Sequence, residues 1–333
     1  MATIQMVRLM IAMQFYCPSG VTEGEPEMTF ETPQAVGIRP GTVFIDDRGD
    51  VAQLHGVGIQ RFGDRFYAWG EDKSAGSTFT AVACYSSTDL ARWRFERRSL
   101  VADSGDIGAD RVVERPKVLR RSDGKYVMLL HIDTTDYALA RVGYAIADEP
   151  VGPFRYLGSE RPLGNSSRDI GVYQEDGVGY LLSEDREQGL HIYRLASDYL
   201  SAEALVTTTL KDDRAHGYES PALIRHDGTY YLFGSDLTGW STNDNKVSTA
   251  TDLRGPWSPW QDIAPAGSAT FDSQVSTVVP IGEGVRSSFV YVGDRWNQDD
   301  LANSPAVWLP MEISGGQARI GWVDEWRLEV PDV

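Results

Sequence analysis

The chain alternates short polar turns with short apolar, aromatic-rich runs. In "AHGYESPALIRHDGTYYLFGSD", Ala215 to Asp236, an apolar run at Ala222-Leu223-Ile224 meets Asp227-Gly228 and resumes from Tyr230 to Phe233. An Asp-Gly pair between two such runs predicts a β-hairpin. The pattern recurs in "GDRFYAWGED" from Gly63, "DGKYVMLLHID" from Asp123, "DGVGYLLSED" from Asp176 and "RSSFVYVGDR" from Arg286, at intervals of about 50 to 60 residues. Upstream of each hairpin lies another apolar run ("QLHGVGIQRF", "VERPKVLRR", "SRDIGVYQED", "YESPALIRH", "FDSQVSTVVP"). A third run follows, as in "TAVACYSSTDL" and "RVGYAIADEP". A multi-strand unit repeated at this period predicts a β-propeller. "SSTDLARWRF" and "ATDLRGPWSPW" read as connections to a fourth strand, and "RIGWVDEWRLEV" as the last outer strand. The expectation is an all-β, five-bladed propeller of about four antiparallel strands per blade over residues 36–333. Residues 1–35 read as an irregular N-terminal extension.

Composition supports strands over helices. Of the 333 residues, 41% are hydrophobic and 11% aromatic, with 33 glycines, and no long run has a period of 3.6. A formal net charge of −17 argues against nucleic acid or an anionic membrane as partner, because nothing would neutralise phosphates. No stretch of about 18 apolar residues predicts a membrane span. Gln5, Arg8 and Gln14 interrupt the apolar N-terminus, which makes a poor signal peptide. The chain as written reads as cytoplasmic, and as secreted if its start is truncated or mis-assigned. Cys17 and Cys84 have no metal-ligand spacing, and one disulfide or two free thiols both fit.

In a propeller the first strand of each blade lines the central axis, so equivalent positions converge at one end. Here they are His55, Glu114, Asp169, Glu219 and Gln274. Crowded carboxylates are costly unless the site uses them. With aromatic walls they suit glycoside hydrolysis, which needs one carboxylic acid kept protonated and one group to handle water. Asp169 and Glu219, on neighbouring blades, could form such a pair, and Tyr137, Trp240 and Trp296 offer flat faces to sugar rings. The sequence carries no G-x-G-x-x-G after a strand, no G-x-x-x-x-G-K-[ST] and no H-E-x-x-H. No cofactor is required and no protein metal-ligand set is expected. A channel cation such as calcium, held through water near His55, stays open.

The order of "VERPKV", "SRDIGVY", "YESPALI", "LTGW", "FDSQVSTVV" and "VGDRWN" resembles glycoside hydrolase family 43. With "LHGVGI" and "FYAWGE" it looks most like that family's exo-β-1,3-galactanase branch, from about Asp46 to Leu309. The resemblance implies a five-bladed propeller acting with inversion on an oligo- or polysaccharide. It implies Glu219 as general acid and Asp169 as the carboxylate that tunes and orients it. The usual base, an aspartate on the first strand of blade one, is replaced here by Gln53, His55 and glycines. Glu114 and Gln274 match the branch's substitute positions, and Glu71, Tyr137, Thr238 and Trp240 match its sugar contacts. An ordinary amide has little basicity, so Gln274 is expected to hold water and Glu114 to assist or bind. Alternatives are an α-L-arabinofuranosidase or β-xylosidase of the same family, a non-catalytic sugar-binding propeller, and a scaffold propeller.

Overall fold

The expected hairpins form, and their turns set the register. In the computed structural model, which describes residues 36–209, 218–282 and 288–328, Asp227 and Gly228 take φ of 45° and 77°, and Asp176 and Gly177 take 50° and 76°. Positive φ at both central residues marks the tight turn whose twist matches paired strands. Cys17 and the segment over 1–35 lie outside the described residues. Cys84 is buried.

Among the described residues, twenty strands make five four-stranded antiparallel sheets. Blade one holds β1 (His55–Phe62), β2 (Arg65–Glu71), β3 (Ala81–Ser87) and β4 (Arg94–Val101). Blade two holds β5 (Val112–Arg120), β6 (Tyr126–Asp133), β7 (Arg141–Ala147) and β8 (Arg155–Glu160). Blade three holds β9 (Ile170–Glu175), β10 (Val178–Asp185), β11 (Gly189–Leu195) and β12 (Ala202–Thr209). Blade four holds β13 (Glu219–His226), β14 (Thr229–Ser235), β15 (Lys246–Ala250) and β16 (Gln261–Asp262). Blade five holds β17 (Gln274–Ile281), β18 (Ser288–Asp294), β19 (Ala306–Ser314) and β20 (Gln317–Ile320). The first strands β1, β5, β9, β13 and β17 are inner neighbours around the axis, as a five-bladed propeller requires.

Apolar side chains fill the seams between blades. Val57, Ile59, Val290 and Trp308 pack between blades one and five; Trp69, Val113, Met128 and Leu130 pack between one and two. Three similar clusters fill the other seams. The ring also closes through the backbone: Ile38 N–H donates to Trp326 O (2.8 Å), Trp326 N–H returns to Ile38 O (3.0 Å), and Thr42 bridges Ala306.

Two outer strands differ from expectation. In blade four the fourth strand is only Gln261–Asp262. Pro256 and Pro259 lack the N–H that a ladder needs, so "RGPWSPW" touches β15 only at Ser258, whose N–H donates to Thr249 O (2.8 Å). In blade five the Gly315-Gly316 turn, with φ of 59° and 75°, starts the last strand at Gln317. Within "RIGWVDEWRLEV" only Arg319 and Ile320 belong to that strand, and Trp326 instead bridges Ile38.

Candidate active site

The five positions read as equivalent fall at or beside the starts of the inner strands. His55, Glu219 and Gln274 open β1, β13 and β17, Glu114 lies near the start of β5, and Asp169 immediately precedes β9. The pairing register shifts directly after His55, Glu114 and Glu219, and after Val275 in blade five. Such bulges twist a strand and re-aim its side chains. The residue that follows takes a left-handed backbone: Gly56 (54°), Arg115 (52°) and Ser220 (54°). At Gly56 only glycine fits, since a Cβ would lie 1.8 Å from Glu71 Oε1. Left-handed arginine and serine are costly and point to function. Ahead of Gln274, Ala269 to Asp272 are all left-handed. Arg295 braces that turn by donating to Phe271 O (2.6 Å) and Asp272 O (3.2 Å).

Glu71, Lys73, Glu114, Arg115, Tyr137, Asp169, Arg186, Glu219, Gly239, Trp240, Gln274 and Trp296 line a pocket of about 280 Å³ at this end. Trp240 and Trp296 meet edge to face at 5.7 Å, and Trp240 is 44% exposed. Two of the predicted site residues lie off the wall. His55 is buried with its ring 5.8 Å from Trp296, and burial, then Lys73, lower its pKa to about 4. Thr238 adjoins the wall residue Gly239, and its hydroxyl bonds Ser241 O and Asn243 within its own loop.

Gln274 is held on every side. Its Oε1 accepts from Arg115 Nη2 (2.7 Å) and Trp296 Nε1 (3.1 Å). Its Nε2 donates to Glu219 Oε1 (2.9 Å) and Ser235 Oγ (2.9 Å). Arg115 also reaches Asp169 Oδ2 (2.9 Å) and faces Asp294 Oδ2 (3.8 Å), while its N–H donates to Glu71 Oε1 (2.9 Å). It is 6% exposed and stays charged, because these carboxylates outweigh its burial.

The carboxyl groups divide by surroundings. Burial, then the charges of Asp169 and Glu184, push Glu219 well above the usual range, against Arg115 and Arg186. Burial would do the same to Glu114, but Lys73, His131 and Arg115 hold it at about 2. Lys73 Nζ stands 2.8 Å from Glu71 Oε2 and 3.6 Å from Glu114 Oε1. His131 stands 3.4 Å from Glu114 Oε2 and 3.0 Å from Asp133 Oδ2. These partners overcome its burial and raise it to about 9. Tyr137 hydroxyl donates to Glu114 Oε1 at 3.3 Å.

Glu114, His131 and Asp169 offer ligand atoms within 4.8 Å of one another, a spacing that an ion could share. The cations facing those carboxylates are His131, Lys73 and Arg115.

Lys73 and Arg115 carry no signal in the strand pattern. A second set did. Each inner residue has a partner across the hairpin: Glu71 opposite His55, His131 opposite Glu114, Ser235 opposite Glu219 and Asp294 opposite Gln274. In blade three Glu184 N–H donates to Asp169 O (2.9 Å). Opposed residues face the same side, so an outer ring backs the inner one. Its carboxylates lie at or one residue before the ends of the strands written "AWGE", "LLSED" and "YVGD".

Fold and pocket together define a propeller whose axial mouth offers one carboxyl raised above the usual range, one held below it, and indole faces. The model of the family "Glycosyl hydrolases family 43" matches residues 55–276. The chain belongs to glycoside hydrolase family 43. It is similar to a solved structure assigned as an exo-β-1,3-galactanase from Bifidobacterium bifidum s17, at 49% identity over 86% of this chain and 97% of that one, with a TM-score of 0.84. It is similar to the exo-β-1,3-galactanase of Phanerochaete chrysosporium solved with β-1,3-galactotriose, at 38% identity over 89% and 69% of the two chains, TM-score 0.84. The exo-β-1,3-galactanase of Clostridium thermocellum aligns at 31% identity over 87% and 66%, TM-score 0.81. No curated protein matches the chain.

Proposed function

We propose that this protein is an inverting exo-β-1,3-galactanase that removes terminal galactose from a β-1,3-linked galactan. The observation that carries the reading is the Glu219–Gln274–Arg115–Asp169 chain of contacts on the pocket floor. Similarity to galactanases, one solved with β-1,3-galactotriose, supports the sugar and linkage. Catalysis belongs to residues 36–333, with 1–35 outside the catalytic domain.

In this reading Glu219 is the general acid and gives its proton to the departing sugar oxygen. Asp169, paired with Arg115 at 2.9 Å, keeps that proton on Glu219. Gln274 fixes the acid's orientation through its 2.9 Å bond to Glu219. It positions the attacking water by exchanging one of its present partners, since all four of its hydrogen-bonding positions are filled. Glu114 is held ionised at about 2, which suits it to grip sugar hydroxyls and makes it a weak base. Glu71, Tyr137, Trp240 and Trp296 complete the sugar site, with His55 and Thr238 supporting its wall and loop. The substrate is a carbohydrate, and no cofactor enters these steps. Among the described residues no helix is long and apolar enough to cross a membrane.

Incubation with β-1,3-galactan, arabinan and xylan tests the reading. Galactose released from the first alone is expected, with the α-anomer appearing first by proton NMR. Arabinose or xylose release would move the activity to the family's other specificities. Binding without product would make the protein a sugar-binding propeller, and indifference to all three would make it a scaffold.

A further inference from the structure

One buried acid has no part in the steps above. Glu184, near the end of β10, is 1% exposed, and neither carboxyl oxygen has a hydrogen-bond partner among the described residues. Burying a carboxylate that way is costly, so a carboxyl without donors favours its neutral form. Its place is set by the ladder. The pairing of β9 with β10 reaches Ser183 opposite Ile170, and the next step puts Glu184 opposite Asp169. Two backbone bonds fix that step: Glu184 N–H to Asp169 O (2.9 Å) and Arg168 N–H to Glu184 O (3.0 Å). Glu184 is thus blade three's member of the outer ring, next to the blade that carries Glu219.

We propose that Glu184 is a positioning residue for the general acid: buried behind Asp169 and opposite it in the ladder, its carboxyl group helps keep the proton on Glu219. The proposal rests on Glu219 being that acid. Three carboxyl groups, Asp169, Glu184 and Glu219, share one corner. Asp169 alone has Arg115 at close range, at 2.9 Å. The charged groups facing Glu184 are Asp169, Arg168, His131 and Arg186, whose Nε is 3.3 Å from Glu184 Oε1. Those facing Glu219 are Asp169, Glu184, Arg115 and Arg186. Burial, then Asp169, raise Glu184 to about 7, against the cations around it. Once ionised, it repels a second negative charge on Glu219. Two interacting acids release their protons in two steps that belong to the pair.

The test is the pH dependence of kcat/KM on β-1,3-galactobiose for the full chain, for Glu184→Gln and for Glu184→Asp. Loss of the Glu184 charge should bring the alkaline limb to lower pH by about one unit. Glu184→Asp keeps a charge one methylene further back, so it should move the limb in the same direction by less. If Glu184→Gln does not fold, the Asp variant carries the test alone. An unmoved alkaline limb overturns the proposal, whether or not the rate falls, because a structural role lowers the whole profile without shifting it. Glu219→Gln separates the two ideas. If that variant keeps the alkaline limb, the assignment of the acid fails. If it loses the limb while the Glu184 variants leave it in place, only the Glu184 proposal fails.

Discussion

Glu114 and Glu219 start from the same place. Both lie at the start of an inner strand, both precede a bulge with a left-handed residue, and both face one pocket. Their surroundings then diverge. Glu114 meets Lys73 and His131, which hold it at about 2. Glu219 sits with Asp169 and Glu184, and burial and repulsion keep it protonated above the usual range. The repeat therefore decides where a carboxyl goes, and the loops and second strands decide its charge. Lys73 follows β2, and His131 sits opposite Glu114 on β6. Opposite Glu219, blade four places Ser235, which supplies no charge.

The largest break in this contrast comes from removing the proton of one partner. Glu219→Gln should lower turnover of β-1,3-galactobiose by about 10²–10⁴, the range for a lost acid–base group. A nitrophenyl galactoside, whose leaving group needs little protonation, should lose far less. Initial rates on the two substrates check this, and equal losses would make Glu219 a binding residue. Next is the cation between the two sides. Arg115→Met leaves Asp169 and Asp294 buried without their guanidinium, at a cost of about 3–5 kcal/mol in a urea unfolding curve. A change within about 0.5 kcal/mol would place Arg115 outside the network's balance.

The smallest effect tests the Glu114 side through pH. His131 is raised from 6.5 to about 9 in the folded state. Its contribution is therefore complete below pH 6.5 and is lost as the pH rises through about 9. Glu114 is lowered from 4.5 to about 2, so its contribution is complete above pH 4.5 and is lost as the pH falls through about 2. The His131 contribution should fall between pH 6.5 and 9 by on the order of 2 kcal/mol, read as the difference between the parent protein and His131→Gln at each pH, since Lys117, lowered to about 7 by burial, changes stability in the opposite direction over the same range. Denaturant midpoints across this range give the measurement.

The inner ring was legible because Asp-Gly turns fix hairpin register, and register fixes which residues share a blade position. Asp227-Gly228 and Asp176-Gly177 take the backbone that such pairs predict. Blade four's short outer strand was not read: the apolar pattern of "ATDLRGPWSPW" suggested a full one, and Pro256 and Pro259 were not weighed against it. The cations were not legible. Arg115 owes its aim to a left-handed backbone that no arginine announces, and Lys73 lies past the end of its strand. The outer ring was legible in principle. Counting back from each hairpin turn puts Glu71, Glu184 and Asp294 opposite the channel residues, but strand-ending carboxylates read more simply as solvated.

The opposed charge states of Glu114 and Glu219 can be observed directly. In protein labelled with carbon-13 at the glutamate side-chain carboxyls, each resonance is assigned by its loss in Glu114→Gln or Glu219→Gln, and then followed from pH 3 to 9. The account predicts that Glu114 keeps the shift of an ionised carboxylate down to the lowest pH. Glu219 should keep the shift of a protonated acid through the ordinary carboxyl range and titrate above it. Two resonances titrating together near pH 4.5, the ordinary value for glutamate, would contradict it.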